Sequence, residues 1–184
     1  MIRYGIVAPP RQGKTTTLLR LARRLSERGV TVTGVAQPAR CGHGLVTGYE
    51  LQDIPEGTRH PLATRERPRG ALARPAPGQV PPRETLAFRF DDAGMAWAAE
   101  RVLRPADLLL VDELGWLEAR GEGHLPAVQT ALSLGRHRAV VLAIRQEARD
   151  AIEARLGVVT GFGPTPDLVD RLVQRLMRDL DQEM

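Results

Sequence analysis

The clearest chemistry in the chain lies in one short segment near its start, Ala8 to Thr15, which reads APPRQGKT. Of the 26 lysine and arginine residues, only Lys14 is a lysine. Lysine is a compact point charge on a slim stem, which can reach into a phosphate cradle, whereas arginine is a broad planar fork. The segment differs by one residue from G-x-x-x-x-G-K-[ST], whose backbone N–H groups hold nucleotide phosphates. We therefore predict that it binds a nucleotide.

The residues around this segment predict the elements that such a loop requires. Ile2 to Val7 form a short apolar run, which indicates a strand. From Thr15 to Leu25 apolar residues recur at helical spacing, and Gly29 offers a C-terminal stop. A helix that begins at the loop points unpaired N–H groups and a partial positive charge at the phosphates. The expected phosphate-binding residues are Arg11, Gln12, Gly13, Lys14, Thr15 and Thr16.

The loop also carries residues that a glycine-rich loop lacks. Pro9 and Pro10 occupy the early turn, where a fixed φ stiffens the chain without removing a donor that the phosphates need. Ala8 and Arg11 stand where glycines are usual, and a β-carbon at either place narrows the permitted backbone geometry. We therefore predict that the loop still binds a nucleotide, but less tightly than a glycine-rich loop does.

A second segment, Asp107 to Glu113, reads DLLLVDE. Four apolar residues followed by two acids are typical of a buried parallel strand whose carboxyl end opens on an active site. We predict that Asp112 holds Mg²⁺ through a water, alongside the hydroxyl of Thr15. Glu113 is expected to orient and deprotonate an attacking water. The alternative is an ordinary strand end with two solvated acids.

The order of elements predicts the fold class. Alternating strands and helices indicate a three-layer α/β fold with a mainly parallel sheet and right-handed crossovers. A glutamate directly after the magnesium aspartate is typical of the RecA-like (ASCE) ATPase branch of phosphate-loop folds, in which another strand separates the two motif strands. The expected strands are Ile2–Val7, Val30–Ala36, Leu108–Asp112, Ala139–Ile144 and Gly157–Thr160.

Composition restricts the class of protein further. A chain of 184 residues, 42% of them hydrophobic, fits a single domain over residues 1–184. Its one cysteine, Cys41, cannot form an internal disulfide, which suits a reducing compartment. No signal peptide and no uninterrupted apolar run of about 18 residues are evident. We therefore expect a cytoplasmic protein without a membrane span.

Residues 55–85 form a proline- and arginine-rich insertion, with six prolines from Pro61 to Pro82. We predict a long irregular loop or a loosely ordered hairpin there. It is either a mobile solvated excursion or a basic arm that closes over the nucleotide or meets an acidic protein partner. Because aromatic residues do not alternate with the arginines, the net charge of +4 does not favour nucleic-acid binding.

The other helices are expected to be structural. Around Ala93 to Leu103, Trp97 and Val102 are predicted core residues. After Pro166 a capped helix is expected to run to about Leu180, with one apolar stripe packed against the sheet. The alternative is that this stripe forms a dimer seam, but we expect a monomer.

Taken with these motifs, the chain resembles the cancer-related nucleoside-triphosphatase family of small phosphate-loop enzymes over residues 2–145. Ala8–Thr15 matches the family's G-P-P-G-x-G-K-T, and Asp112–Glu118 matches D-E-[IL]-G-x-[ML]-E. Arg40 and Gly48-Tyr49 stand near the family's arginine-containing turn and the Gly-Phe pair of its β-hairpin insertion. The resemblance implies slow, Mg²⁺-dependent hydrolysis of several nucleoside triphosphates to diphosphates. It also implies that Glu118 anchors the loop after the motif without a catalytic role.

The expected mechanism places the loop N–H groups and Lys14 on the β- and γ-phosphates, with Glu113 aligning water. Arg145 is the first candidate for a transition-state arginine and Arg40 is the second. No N-K-x-D signal for guanine is present, so base selectivity should be weak. The departures at Ala8, Arg11 and Gln37-Pro38 leave rate and base preference open.

Two other functions use the same loop. One is a small-molecule kinase, for which the arginine-rich loop from Arg65 to Arg74 would serve as a lid. The other is a nucleotide-gated adaptor with little turnover. A glutamate beside the magnesium aspartate favours water as the acceptor, and therefore hydrolysis.

Overall fold

The computed structural model describes residues 1–66, 79–80 and 87–182. Nine strands of this part form one sheet, in the order β6-β5-β4-β2-β7-β8-β1-β9, with β3 paired to β4. The strands are β1 (Ile2–Ala8), β2 (Val32–Ala36), β3 (Ala39–Gly42), β4 (Leu45–Asp53), β5 (Arg59–Arg65), β6 (Phe88–Phe90), β7 (Leu108–Leu114), β8 (Ala139–Arg145) and β9 (Thr160–Phe162). The helices are α1 (Lys14–Ser26), α2 (Asp92–Val102), α3 (Trp116–Ala119), α4 (Leu125–Leu134), α5 (Arg149–Leu156) and α6 (Leu168–Gln182).

The half of the sheet formed by β2, β7, β8, β1 and β9 is parallel throughout. Strand β8 lies between β7, which ends in the acidic pair, and β1, which leads into the phosphate loop. The predicted mainly parallel sheet and the predicted separation of the two motif strands are therefore confirmed. Parallel strands place their carboxyl ends at one edge, so the loop and the acids can meet there.

Both faces of the parallel half are buried, which explains the unbroken apolar run in β7. Leu109 and Val111 pack on one face with α2, α4 and α5, whereas Leu108 and Leu110 pack on the other face with α1 and α6. A strand covered on both sides needs apolar residues at every position. The α6 stripe lies in the second core as predicted, through Leu168, Val169, Leu172, Val173, Leu176 and Leu180.

Three predicted strands differ from the observed ones by two or more residues at a boundary, and one of them is β7, which ends at Leu114 and not at Asp112. The last strand is Thr160–Phe162 and not Gly157–Thr160, because Gly157 has φ 82° and its N–H donates to Glu153 at the end of α5. The second strand begins at Val32 and not at Val30, because the N–H of Val30 still donates to Leu25 of α1. At Gly157 and at Val30 the backbone N–H still donates to the preceding helix, so neither residue can begin a β-strand.

The predicted hairpin insertion is present as β3 and β4, joined by a turn in which His43 and Gly44 have positive φ. Of the two alternatives for the segment from Pro61 onward, the irregular loop was wrong as far as Arg65, because these residues belong to β5, which pairs antiparallel with β6. Pro61 lies opposite Glu50 where the ladder shifts register, and a bulge tolerates a residue without an N–H. The rest of the predicted loop, residues 67–78 and 81–86, lies outside the described residues.

Helix α2 covers the antiparallel part of the sheet. Of its two predicted core residues, one is fully buried and the other is only partly buried. Val102 is buried, whereas Trp97 is half-buried, with the guanidinium of Arg101 3.7 Å from its ring centroid and the His60 ring stacked 5.6 Å away. Within the described residues, no helix has both the length and the apolar character that a membrane crossing requires.

A buried carboxylate joins α2 to the end of β4, and we expect its removal to destabilise the protein by about 3 kcal/mol. Asp53 is fully buried, with Oδ2 2.9 Å from Arg104 Nη1 and 3.2 Å from Arg101 Nε. Asp53→Ala leaves the mostly buried Arg101 guanidinium with only the exposed carboxylate of Glu100 as its counter-charge. The measurement is the free energy of unfolding from urea titration.

The matched control is Glu56→Ala, because Glu56 also binds Arg104, at 2.8 Å, but is 50% exposed. An exposed ion pair contributes less than about 1 kcal/mol. Equal losses in the two variants would contradict the assignment of Asp53 as the carboxylate that stabilises this contact.

Candidate active site

The phosphate loop connects the end of β1 to the start of α1. Ala8 is the last, fully buried residue of β1, and Gly13 immediately precedes α1 with φ 76°. Arg11 has φ 66°, the left-handed region that favours glycine over residues with a β-carbon. The structure therefore locates the loop's strain at Arg11, one of the two positions where the sequence departs from glycine.

Lys14 connects the loop to the end of β7. Its side chain is only 2% exposed, and Nζ donates to the carbonyl oxygens of Ala8 at 3.1 Å and Pro9 at 3.0 Å. The same Nζ lies 3.5 Å from Oε2 of Glu113. An ammonium has three N–H donors, and two of them are used by these carbonyl oxygens, while Glu113 supplies the counter-charge. The two predicted motifs, about a hundred residues apart in sequence, are thus in contact.

Asp112 is a fully buried carboxylate with one oxygen held and one left without a partner. Oδ2 accepts a hydrogen bond from the Gln37 N–H at 3.0 Å, whereas Oδ1 has no hydrogen-bond partner among the described residues. Burial, and secondarily the charge of Glu113, raises the pKa of Asp112 to about 7; the Thr15 hydroxyl, the Gln37 N–H and Lys14 oppose this shift. A buried oxygen without a donor, on a carboxyl that the Thr15 hydroxyl also contacts, fits a position for a divalent cation.

Glu113 reaches the same site although it follows Asp112 directly. Consecutive side chains of a regular strand point to opposite faces. In β7 the pairing with β8 shifts register between Val111 and Leu114, and such an irregularity re-aims side chains. Glu113 remains 30% exposed beside the buried Lys14. One acid is therefore enclosed and its neighbour is open to solvent, where water is available.

The segment after β7 is anchored by Glu118, as the family resemblance implied. Its carboxylate is buried and accepts hydrogen bonds from the N–H groups of Gly115 at 2.8 Å and His124 at 2.9 Å. Burial raises the pKa of Glu118 to about 7. A β-carbon on Gly123 would lie 2.1 Å from Oε1 of Glu118, so only glycine fits there. This one carboxylate therefore joins the two ends of the segment from 115 to 124, which includes α3.

Arg145 lies at the same edge of the sheet as the phosphate loop, because it pairs with Ala8 at the end of the β1–β8 ladder. Its guanidinium lies 5.4 Å from the Trp116 ring centroid, and Nε lies 3.4 Å from Glu147. Arg40, by contrast, lies in β3 and donates to the carbonyl oxygen of Ala63 in β5 at 3.3 Å. The sheet thus positions the first arginine candidate beside the loop and uses the second in its own hydrogen bonding.

Residues that the sequence did not single out for a role at the site also lie around it. Burial raises the pKa of Tyr49, and the negative charge of Glu113 raises it further. Three arginines oppose this shift: Arg145, Arg11 and Arg65. These four charged groups therefore surround the tyrosine. Gln37 binds Asp112 through its N–H, and its side chain meets His124. One signal was available: Gln37 directly follows β2, the strand beside β7, and carboxyl ends of neighbouring parallel strands share an edge.

Comparisons with known proteins agree with this geometry. A protein-family model described as NTPase matches residues 3–163, which include both motifs. The nucleoside-triphosphatase THEP1 of Methanopyrus kandleri is 28% identical, over 94% of each chain. The protein of the same name from Caldivirga maquilingensis is 24% identical, over 71% of this chain and 69% of its own.

Two solved structures share the fold. The solution structure of a human cancer-related nucleoside triphosphatase covers 100% of both chains with a TM-score of 0.69 and 20% identity. The crystal structure of THEP1 from Aquifex aeolicus has a TM-score of 0.61 and 17% identity, over 98% of this chain and 99% of its own. With the family model spanning residues 3–163 and the two motifs in contact at Lys14 and Glu113, this chain belongs to the NTPase family, the nucleoside triphosphatases that its sequence resembled.

Proposed function

We propose that this NTPase hydrolyses ATP, GTP and other nucleoside triphosphates to diphosphate and phosphate, with Mg²⁺ as cofactor, slow turnover and little base selectivity. The observation that carries the proposal is the 3.5 Å contact between Lys14 Nζ and Glu113 Oε2, where the phosphate loop meets the acidic strand end. A phosphate-binding cation and a solvent-exposed carboxylate at this spacing suit an attack by water on a bound triphosphate.

Thr15 and Asp112 would hold the magnesium ion. Two observations support this assignment: Asp112 Oδ1 has no hydrogen-bond partner in the described part of the chain, and the Thr15 hydroxyl contacts the same carboxyl. Held by these two residues, the ion would neutralise negative charge on the bound phosphates. The Gln37 N–H holds the other carboxylate oxygen, so the aspartate is oriented by the protein before any cation arrives.

The phosphate loop would supply the remaining positive charge. The N–H groups from Arg11 to Thr16 and the ammonium of Lys14 bind the β- and γ-phosphates, with Nζ exchanging the Ala8 and Pro9 carbonyls for phosphate oxygens. The positive φ of Arg11 supports modest affinity and slow turnover, because a residue with a β-carbon is strained there. No N-K-x-D segment is present to select guanine.

Glu113 and Arg145 are assigned the chemical step. The Glu113 carboxylate orients a water in line with the γ-phosphate and takes its proton. Arg145 stabilises the charge that develops on the transferring phosphoryl group. Its position at the end of β8, paired with Ala8 and packed over Trp116, supports this role.

The proposal is tested by phosphate release from ATP, GTP, CTP and UTP, with Mg²⁺ and after its removal by EDTA. We expect similar rates for the four triphosphates and loss of turnover without the metal. We expect Lys14→Ala to weaken triphosphate binding about ten- to a hundredfold, because a charge-assisted hydrogen bond contributes about 1.5–3 kcal/mol. Binding is measured by fluorescence titration with a labelled ATP.

Arg20→Ala is the matched control, since it removes one positive charge from the exposed face of the same helix. Equal losses in the two variants would contradict a specific role for Lys14. Phosphate transfer only after a small-molecule acceptor is added would identify a kinase instead of a hydrolase.

A further inference from the structure

A buried contact between two polar side chains lies next to Asp112, and the mechanism above assigns it no role. Nε2 of Gln37 and Nε2 of His124 are 2.6 Å apart, although the two residues are separated by 87 positions in sequence. His124 is 1% exposed, and Gln37 is half-buried. Buried polar groups without partners are costly, so this contact holds both side chains in place.

The chemistry of the pair requires one donor and one acceptor. A neutral imidazole protonated at Nδ1 accepts from the Gln37 amide at Nε2, and with the amide turned the other tautomer donates to the amide oxygen. Burial lowers the pKa of His124 to about 4, so the ring is neutral near pH 7. One hydrogen bond forms in either tautomer.

The backbone N–H of one residue binds Asp112 in β7, and that of the other binds Glu118 in α3, which directly follows β7. The N–H of Gln37 donates to Asp112 Oδ2 at 3.0 Å. The N–H of His124 donates to the buried Glu118 at 2.9 Å, and Glu118 also accepts from Gly115, three residues after Asp112. His124 is therefore anchored through its main chain, and its ring holds the residue that binds Asp112.

We propose that His124 is a positioning residue, whose ring fixes Gln37 so that the Gln37 N–H occupies Asp112 Oδ2 and leaves Oδ1 for the magnesium ion. This role depends on the proposed function, in which Asp112 is a ligand of Mg²⁺. Without the ring contact the half-buried Gln37 loses its support, and the N–H that orients the carboxylate is no longer held in one place.

The experiment compares His124→Phe, His124→Gln and Gln37→Leu with the wild type. Phenylalanine keeps the ring and the backbone N–H but removes the hydrogen bond, whereas glutamine places an amide near the position of Nε2. Two quantities are measured: the Mg²⁺ concentration that gives half-maximal phosphate release, and the dissociation constant of Mn²⁺ by electron paramagnetic resonance with a non-hydrolysable ATP analogue bound.

We expect His124→Phe and Gln37→Leu each to raise both quantities about three- to tenfold, which corresponds to one lost hydrogen bond. The double variant should be no worse than either single one, because both changes remove the same contact. His124→Gln should recover most of the loss, and nucleotide binding without metal should be unchanged.

Asp112→Asn separates the two levels of the proposal. If Asp112→Asn weakens Mn²⁺ binding but His124→Phe and Gln37→Leu do not, the positioning role is refuted and the metal ligand stands. If Asp112→Asn leaves Mn²⁺ binding unchanged, the metal assignment of the proposed function fails, and the role of His124 fails with it. A loss of thermal stability without weaker Mn²⁺ binding would show that His124 only packs.

Discussion

Glu113→Gln is expected to lower the rate of phosphate release about a thousandfold while triphosphate binding changes by no more than about threefold. A general base contributes about 10² to 10⁴ in rate, and an amide of the same shape cannot accept the proton of water. The carboxylate is open to solvent and lies 3.5 Å from the amine expected to hold the phosphates. The two measurements are steady-state phosphate release and equilibrium binding of a labelled triphosphate.

A matched control for this prediction is Glu27→Gln. Glu27 is an exposed acid that pairs with Arg23 at 3.3 Å just beyond the far end of the helix that starts at the loop. The Glu27→Gln substitution removes the same negative charge but leaves the acidic pair of β7 unchanged. Unchanged turnover in Glu113→Gln would rule out the carboxylate as the base and would leave the water to be activated by another group.

Arg145→Ala should also lower turnover about a thousandfold, because a transition-state arginine contributes about 10³ to 10⁵ in rate. The residue ends β8 opposite Ala8, and its guanidinium packs over Trp116. Arg145→Lys should recover only part of the loss, since a lysine keeps the charge but not the planar fork. Single-turnover phosphate release measures the step directly.

The comparison variant is Arg40→Ala, whose guanidinium donates from the hairpin to the Ala63 carbonyl of β5. We expect its turnover to stay within about tenfold of the wild type, because its loss alters hairpin packing and not the charge near the phosphates. A thousandfold loss in Arg40→Ala, with little effect in Arg145→Ala, would reverse the assignment.

Much of the fold could be predicted because short stretches of neighbouring residues determine its strands and helices. The apolar run before the phosphate loop, the helical spacing after it and the DLLLVDE segment each specify an element from a few neighbouring residues. The rule that parallel strands bring their carboxyl ends together then predicts that the loop and the acids meet. Lys14 and Glu113 are in contact for this reason.

The tertiary structure alone decided the features that depend on distant partners. The residues from Pro61 to Arg65 have a composition typical of a loop, yet they form part of β5. They do so because they pair with β4, and a bulge in this pairing lies next to the proline. Gln37 and His124 meet across 87 residues, which no local pattern indicates.

The side-chain geometry of the site was decided at the same level. The shift in register after Val111 brings Asp112 and Glu113 to one site although regular alternation would separate them. Sequence determined the elements and the chemical groups, since propensity and periodicity act over a few residues. Their orientation is determined by packing and by hydrogen bonds between elements that are far apart in the chain.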